Sequence, residues 1–180
     1  MRKDNFTARD LGQKFNVPVD TIKRWSRELL PPDPIAGRQG GRARLFDLDE
    51  AFIIYLASYL IRNEGYSISD SRQIVYDLKP WLIASGLFPS RIGPNGLTNM
   101  FYELYIQKKN HEDFFRYDTK KIMTKTEFEE EGERKKFVET YILEPISGQK
   151  PINGIENTKV LRVSIIILYF LGLIGWKRKP

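Results

Sequence analysis

Apolar residues recur with helical spacing near the start of the chain. Leu11 and Phe15 stand one turn apart, behind Thr7 as N-cap and Asp10 as its acidic partner three residues on, which predicts a short amphipathic helix over 8–15. Asn16-Val17-Pro18 reads as a turn, because Asn tolerates unusual backbone angles and Pro suits a helix start. A second helix follows over 19–29, with Ile22, Trp25 and Leu29 on one face and Thr21, Lys23, Arg24 and Arg27 over the others. Trp25 is expected to be core, shared with Leu11 and Phe15. Pro31-Pro32-Asp33-Pro34 then stops the helix. Residues 35–46 read as two short extended pieces around a tip rich in Gly and Arg. Two short helices, a tight turn and a hairpin wing make a winged helix-turn-helix.

Further along, Asp47 or Asp49 caps a predicted helix over 51–64, Gly65 ends it, and another starts near Ser69. Pro80 and Gly86 interrupt that pattern, and 81–97 reads as a linker rich in turn residues. The remainder changes character. Tyr102, Leu104 and Ile106 alternate with polar positions as in a strand, and 114–118 returns as a second one. Residues 126–141 have helical composition, acidic early and basic late, although Gly132 leaves a pair of charged strands open. Runs rich in β-formers at 141–146 and 158–164 flank a loop of Gly, Pro and Asn. The expected architecture is an all-α N-terminal domain with a small β wing over 1–80 and an α+β accessory domain over 98–180.

Residues 163–176 carry no charge at all and would form a helix about 21 Å long, short of a hydrocarbon core of roughly 30 Å. A buried strand-to-helix segment or a dimer interface is the expected role, with Val163, Ile166, Ile167, Phe170, Leu171 and Ile174 as interface candidates. A membrane tail is the lesser alternative, favoured only by the terminal Lys177-Arg178-Lys179.

Charge sharpens the functional picture. The chain of 180 residues has a formal net charge of +6. Residues 1–45 hold ten basic side chains against five acidic ones, the electrostatic footprint of a polyanion partner. Cysteine is absent and His111 is the only histidine, which excludes thiol chemistry, disulfide frameworks and any site needing two imidazoles. The carboxylates of 127–133 lack a companion oxygen-ligand loop and read as a solvated face, so no metal is expected. No phosphate-binding loop, dinucleotide fingerprint or nucleophile elbow occurs, so neither an enzyme nor a cofactor is expected. The first residues lack an apolar run, and the expected location is the cytoplasm.

The stretches FTARDLGQKF, NVPVDTIKRWSRELL and GGRARLF, with EGYSISDSRQIV beyond them, resemble the winged helix-turn-helix of the MerR family and its excisionase-like relatives over residues 5–80. That resemblance assigns Thr21, Lys23, Arg24 and Arg27 to DNA contact or approach and Arg44 to the sugar–phosphate backbone, with Arg42 and Arg38 beside it. The family often has Tyr-Tyr where this chain has Arg24-Trp25, and a Ser N-cap where it has Pro18. It implies a bacterial-type transcription regulator binding double-stranded DNA as a homodimer. RNA polymerase and a small-molecule effector stay open as further partners. An excisionase-like protein that bends DNA, or a membrane-tethered or protein-binding adaptor, are the alternatives. Family members dimerise through a long coiled coil, yet no heptad run follows residue 80 here.

Overall fold

The computed structural model describes residues 5–33, 43–92, 97, 100–108, 114–128, 135–146, 152 and 157–176, with the side chains of 100, 123–128, 135–141 and 143 left aside. The chain divides into two compact units, one of residues 1–92 with 167–179 and the other of 93–166 with the last residue.

In the first unit a two-residue strand, β1 (Phe6–Thr7), leads directly into α1 (Ala8–Phe15). Thr7 and Asp10 cap α1 reciprocally: the Asp10 amide donates to Thr7 Oγ1 at 3.2 Å, and the Thr7 amide donates to Asp10 Oδ2 at 2.7 Å. The Thr7 hydroxyl donates to the same carboxylate, and these bonds hold the Asp10 carboxyl below its usual range. Then come α2 (Val19–Leu29) and β2 (Leu45–Phe46), which pairs antiparallel with β1 through Phe6–Phe46 and Thr7–Leu45. The Asp47–Glu50 capping box starts α3 (Leu48–Arg62), three residues earlier than the sequence pattern suggests. Gly65, at φ 71°, makes the turn into α4 (Ile68–Ala84), which Ser67 caps. Burial pushes the Tyr66 phenol in this turn up to about 12, and the Glu64 and Asp70 carboxylates add to it.

Pro80 does not end α4. The helix runs through it to Ala84, and Gly86, at φ 67°, closes it. Proline removes one donor to the carbonyl of residue 76, and Tyr76 is exposed, so water can serve that group. Residues 81–92, expected as linker, are the end of α4 and a 3-10 turn (Pro89–Arg91) packed on α3. Phe88 is buried with its ring 5.8 Å from that of Phe52, and Asp49 accepts hydrogen bonds from the Ser90 amide and hydroxyl.

The second unit is an antiparallel sheet of order β5-β4-β3-β6, formed by β3 (Met100–Lys108), β4 (Phe115–Phe128), β5 (Lys135–Pro145) and β6 (Thr158–Arg162). The helix expected over 126–141 is thus replaced by strand pairing between β4 and β5, from Asp118–Pro145 to Phe128–Lys135. Local charge order favoured a helix, but cross-strand pairing prevails, as tertiary context commonly overrides propensity. Leu104, Ile106, Phe115, Tyr117 and Leu161 share one buried face of the sheet by register. On the other face Asp118 is buried and its Oδ2 accepts from the Ile152 amide at 2.9 Å. The C-terminal part of the chain is α+β, as expected.

β6 runs directly into α5 (Val163–Ile174). From Ile167 onward this helix belongs to the first unit. Phe170 is fully buried, its ring 5.3 Å from Phe52, 5.5 Å from Tyr55 and 6.2 Å from Phe15. Lys14 donates to the Leu173 carbonyl near the C-terminus of α5, where a cation is favoured. No helix among the described residues is long and apolar enough to cross a membrane.

Candidate nucleic-acid interface

The geometry of the helix-turn-helix rests on two residues that the turn demands. The Val17 amide donates to the Gly12 carbonyl at 2.9 Å, so the chain folds back tightly over α1. A Cβ on Gly12 would lie 2.8 Å from the Val17 carbonyl oxygen, closer than side chains approach a backbone. Asn16 follows in the left-handed region at φ 53°, which Asn tolerates better than most residues. The α1 and α2 helices are thereby locked in contact. Trp25 and Ile22 anchor α2 by burial, Trp25 with 3% exposure, as its spacing with Ile22 predicts. Its indole Nε1 has no hydrogen-bond partner among the described residues.

What α2 turns outward is mainly cationic. Lys23, Arg24 and Arg27 are exposed, and Thr21 is half-buried at the edge of the same surface. Asp20 and Glu28 also lie on it, so the local excess is a single positive charge. Lys23 Nζ pairs with Asp20 Oδ1 at 3.2 Å, with both side chains well exposed, and Arg27 Nε donates to the Lys23 carbonyl at 3.3 Å. Exposed pairs of this kind are weak and exchange readily for a stronger anion. An open groove of about 610 Å³ beside the turn is lined by Arg9, Gln13, Asn16, Pro18 and Val19. Arg9 and Gln13 thus join the surface at the N-terminus of α2. The basic tally included Arg9, but the sequence pattern alone placed neither residue beside α2.

Arg44 is placed differently from the other arginines. Its Nη1 donates to the Pro31 carbonyl at 3.0 Å and its Nη2 meets Glu50 Oε1 at 2.8 Å, with the side chain only 17% exposed. Its guanidinium also lies 5.4 Å from the centre of the Phe46 ring. Glu50 Oε2 in turn accepts from the Asp47 amide, so one carboxylate serves both the α3 cap and the base of the wing. Arg44 therefore ties the end of the helix-turn-helix to β2 and α3 within its own chain. Arg38 and Arg42 lie outside the described residues, as does His111.

Of the six candidates on α5, Val163, Ile166, Ile167, Phe170 and Leu171 are buried within the chain and Ile174 is half-buried. Their face is spent on internal packing. The opposite face of the same helix is exposed. Among the described residues no group of three or more metal-binding side chains comes together, and the side chains of 127–133 fall outside them.

A comparison with curated proteins finds no match. The first unit is where kinship is found. Residues 6–78 match the profile of the MerR HTH family regulatory proteins, spanning β1, α1, α2, β2, α3 and most of α4. The N-terminal part of this chain is accordingly similar to the helix-turn-helix domain of MerR family regulatory proteins.

Proposed function

We propose that the protein is a sequence-specific DNA-binding transcriptional regulator of the MerR type that acts as a homodimer in the bacterial cytoplasm. The observation that carries this reading is the surface of α2. A helix of 11 residues, held rigidly by buried Ile22 and Trp25, presents Lys23, Arg24 and Arg27 to solvent beside a tight helix-turn-helix turn. A helix of this size enters the major groove, where Arg reads the guanine edge bidentately and Lys reaches phosphate or guanine. Arg24 has no ion pair or hydrogen bond of its own among the described residues and is the side chain best placed to read a base. Arg9 and Gln13 approach the adjacent backbone. Arg44 acts from behind, by fixing the base of β2, while the family resemblance assigns Arg38 and Arg42 to phosphate contact. One such domain covers a half-site, and two copies on half-sites about 34 Å apart give the affinity a regulator needs.

Selection of bound duplexes from random sequence, using the full chain, tests the proposal. A two-fold-related motif should emerge, and Arg24→Ala should lose about 1–3 kcal/mol of affinity with relaxed preference at one position of each half. Enrichment of no motif, with binding that depends on salt alone, would refute it.

A further inference from the structure

The α5 helix is apolar all the way round, and a helix of that kind is ordinarily covered on every side. Among the described residues one side is covered, through Ile167, Phe170 and Leu171. Four of the ten large hydrophobic side chains exposed among the described residues stand on the other side of this 12-residue helix: Ile165, Leu168, Tyr169 and Leu173. Their spacing of three, one and four residues, with Gly172 between, puts them on a single stripe. The stripe carries no charge. Exposures of 38%, 45%, 67% and 40% leave an apolar surface on the order of 400 Å².

Gly172 adds an independent observation. It lies in a helix interior, where glycine is less stable than alanine, yet a Cβ there would meet nothing within 4 Å. No contact among the described residues requires it. A second helix lying close against the stripe would, because glycine lets two helix backbones approach.

We infer that the outer face of α5, formed by Ile165, Leu168, Tyr169, Gly172 and Leu173, is the surface through which two copies of this chain associate. A second copy fits best for three reasons. An uncharged stripe is complementary to itself under a two-fold axis, where the same patch meets the same patch. An apolar surface of about 400 Å² is half of the roughly 800 Å² per partner in a standard interface, which matches the apolar share of such contacts. The helix, about 18 Å long, is too short to seat across a bilayer. The need for two copies rests on the DNA-reading proposal, whereas the surface itself is read from α5 alone.

Charge exchange on the full chain tests this. One variant carries Leu168→Glu with Leu173→Glu, and the other carries Leu168→Lys with Leu173→Lys. Both positions are exposed, so thermal melting in each confirms the fold. Sedimentation should give wild type at twice 21.1 kDa and each variant alone at 21.1 kDa, since like charges brought together weaken association by roughly 100-fold or more. An equal mixture should recover the doubled mass, whichever way the two helices run. Gly172→Ala should melt no lower than wild type yet associate more weakly. A wild-type monomer, or a double-Glu variant that stays dimeric, would overturn the assignment. So would a wild-type monomer that pellets with vesicles of phosphatidylcholine and phosphatidylglycerol while the double-Glu variant does not. Binding to a random-sequence duplex is measured separately. Dimers that respond to charge exchange but ignore DNA would leave this surface standing and remove the regulator reading.

Discussion

Substituting Phe170 by Ala asks whether the last helix is structural for the helix-turn-helix unit. The ring is fully buried among Phe15, Phe52 and Tyr55, which come from α1 and α3. Removing a buried aromatic ring costs about 3–5 kcal/mol through lost transfer energy and the cavity left behind. The three ring contacts put this site at the upper end, because aromatic pairs add about 0.5–1.5 kcal/mol beyond area, and α5 cannot collapse easily while Ile167 and Leu171 stay seated. A loss of about 4 kcal/mol corresponds to a fall of roughly 8–16 °C in the melting midpoint of a chain this size. Urea unfolding supplies the free energy, and amide exchange at Leu11, Ile22 and Ile54 shows which unit loosens. Tyr76→Ala, at an exposed position on α4, serves as control and should stay within about 0.5 kcal/mol. Protection at Leu11 and Ile22 should fall in step with the loss. A cost below about 1 kcal/mol, or exchange that quickens only in the sheet, would refute the packing argument. By the same logic, a chain ending at Arg162 should not keep a native helix-turn-helix, because the Phe15–Phe52–Tyr55 cluster loses its cover.

Three further outcomes follow from particular contacts. Gly12→Ala should destabilise by about 1–3 kcal/mol in urea, because its Cβ would press on the Val17 carbonyl and open the turn, whereas Asn16→Gly should be neutral or slightly stabilising. Arg44→Ala should lower the melting temperature, since it strands Glu50 and frees the wing base, while Arg24→Ala should melt like wild type and lose only DNA affinity in an anisotropy titration. The Tyr66 phenol is raised in the fold, so its contribution is intact below about pH 10 and is lost as pH climbs from about 10 toward 12; Tyr66→Phe should flatten that part of the stability profile measured by urea midpoint.

The local elements at the N-terminus were legible because their signals are local. Thr7 with Asp10, Asn16 before Pro18, and the spacing of Ile22 and Trp25 each act within one or two turns, and the helices lie at 8–15 and 19–29 as the pattern predicts. Pro80 misled because its cost falls on one hydrogen bond, which solvent can replace when the residue four back is exposed. Residues 126–141 misled for a different reason. Acidic residues followed by basic ones suit a helix macrodipole, but the same charges can stand on a strand, and the long β4–β5 register is invisible to any short window.

The site divides along the same line. That Lys23, Arg24 and Arg27 face outward follows from helical period alone, since Ile22 and Trp25 must face in. Arg44 shows where such reasoning stops. In sequence it is one more arginine beside a glycine-rich tip, equivalent to Arg38 and Arg42. Its distinction lies in Glu50, six residues on, and in the Pro31 carbonyl, thirteen back; neither partner has a spacing rule. The α5 run shows the complementary limit. Fourteen uncharged residues state that the segment must be covered, but hydrophobicity has no direction and names no partner. Only the fold reveals that Phe170 covers Phe15 and Phe52, so that the end of the chain completes the core begun at its start. A helix with two apolar faces and one internal partner then carries its own requirement for a second, and the uncharged outer stripe with Gly172 at its centre determines what kind of surface can meet it.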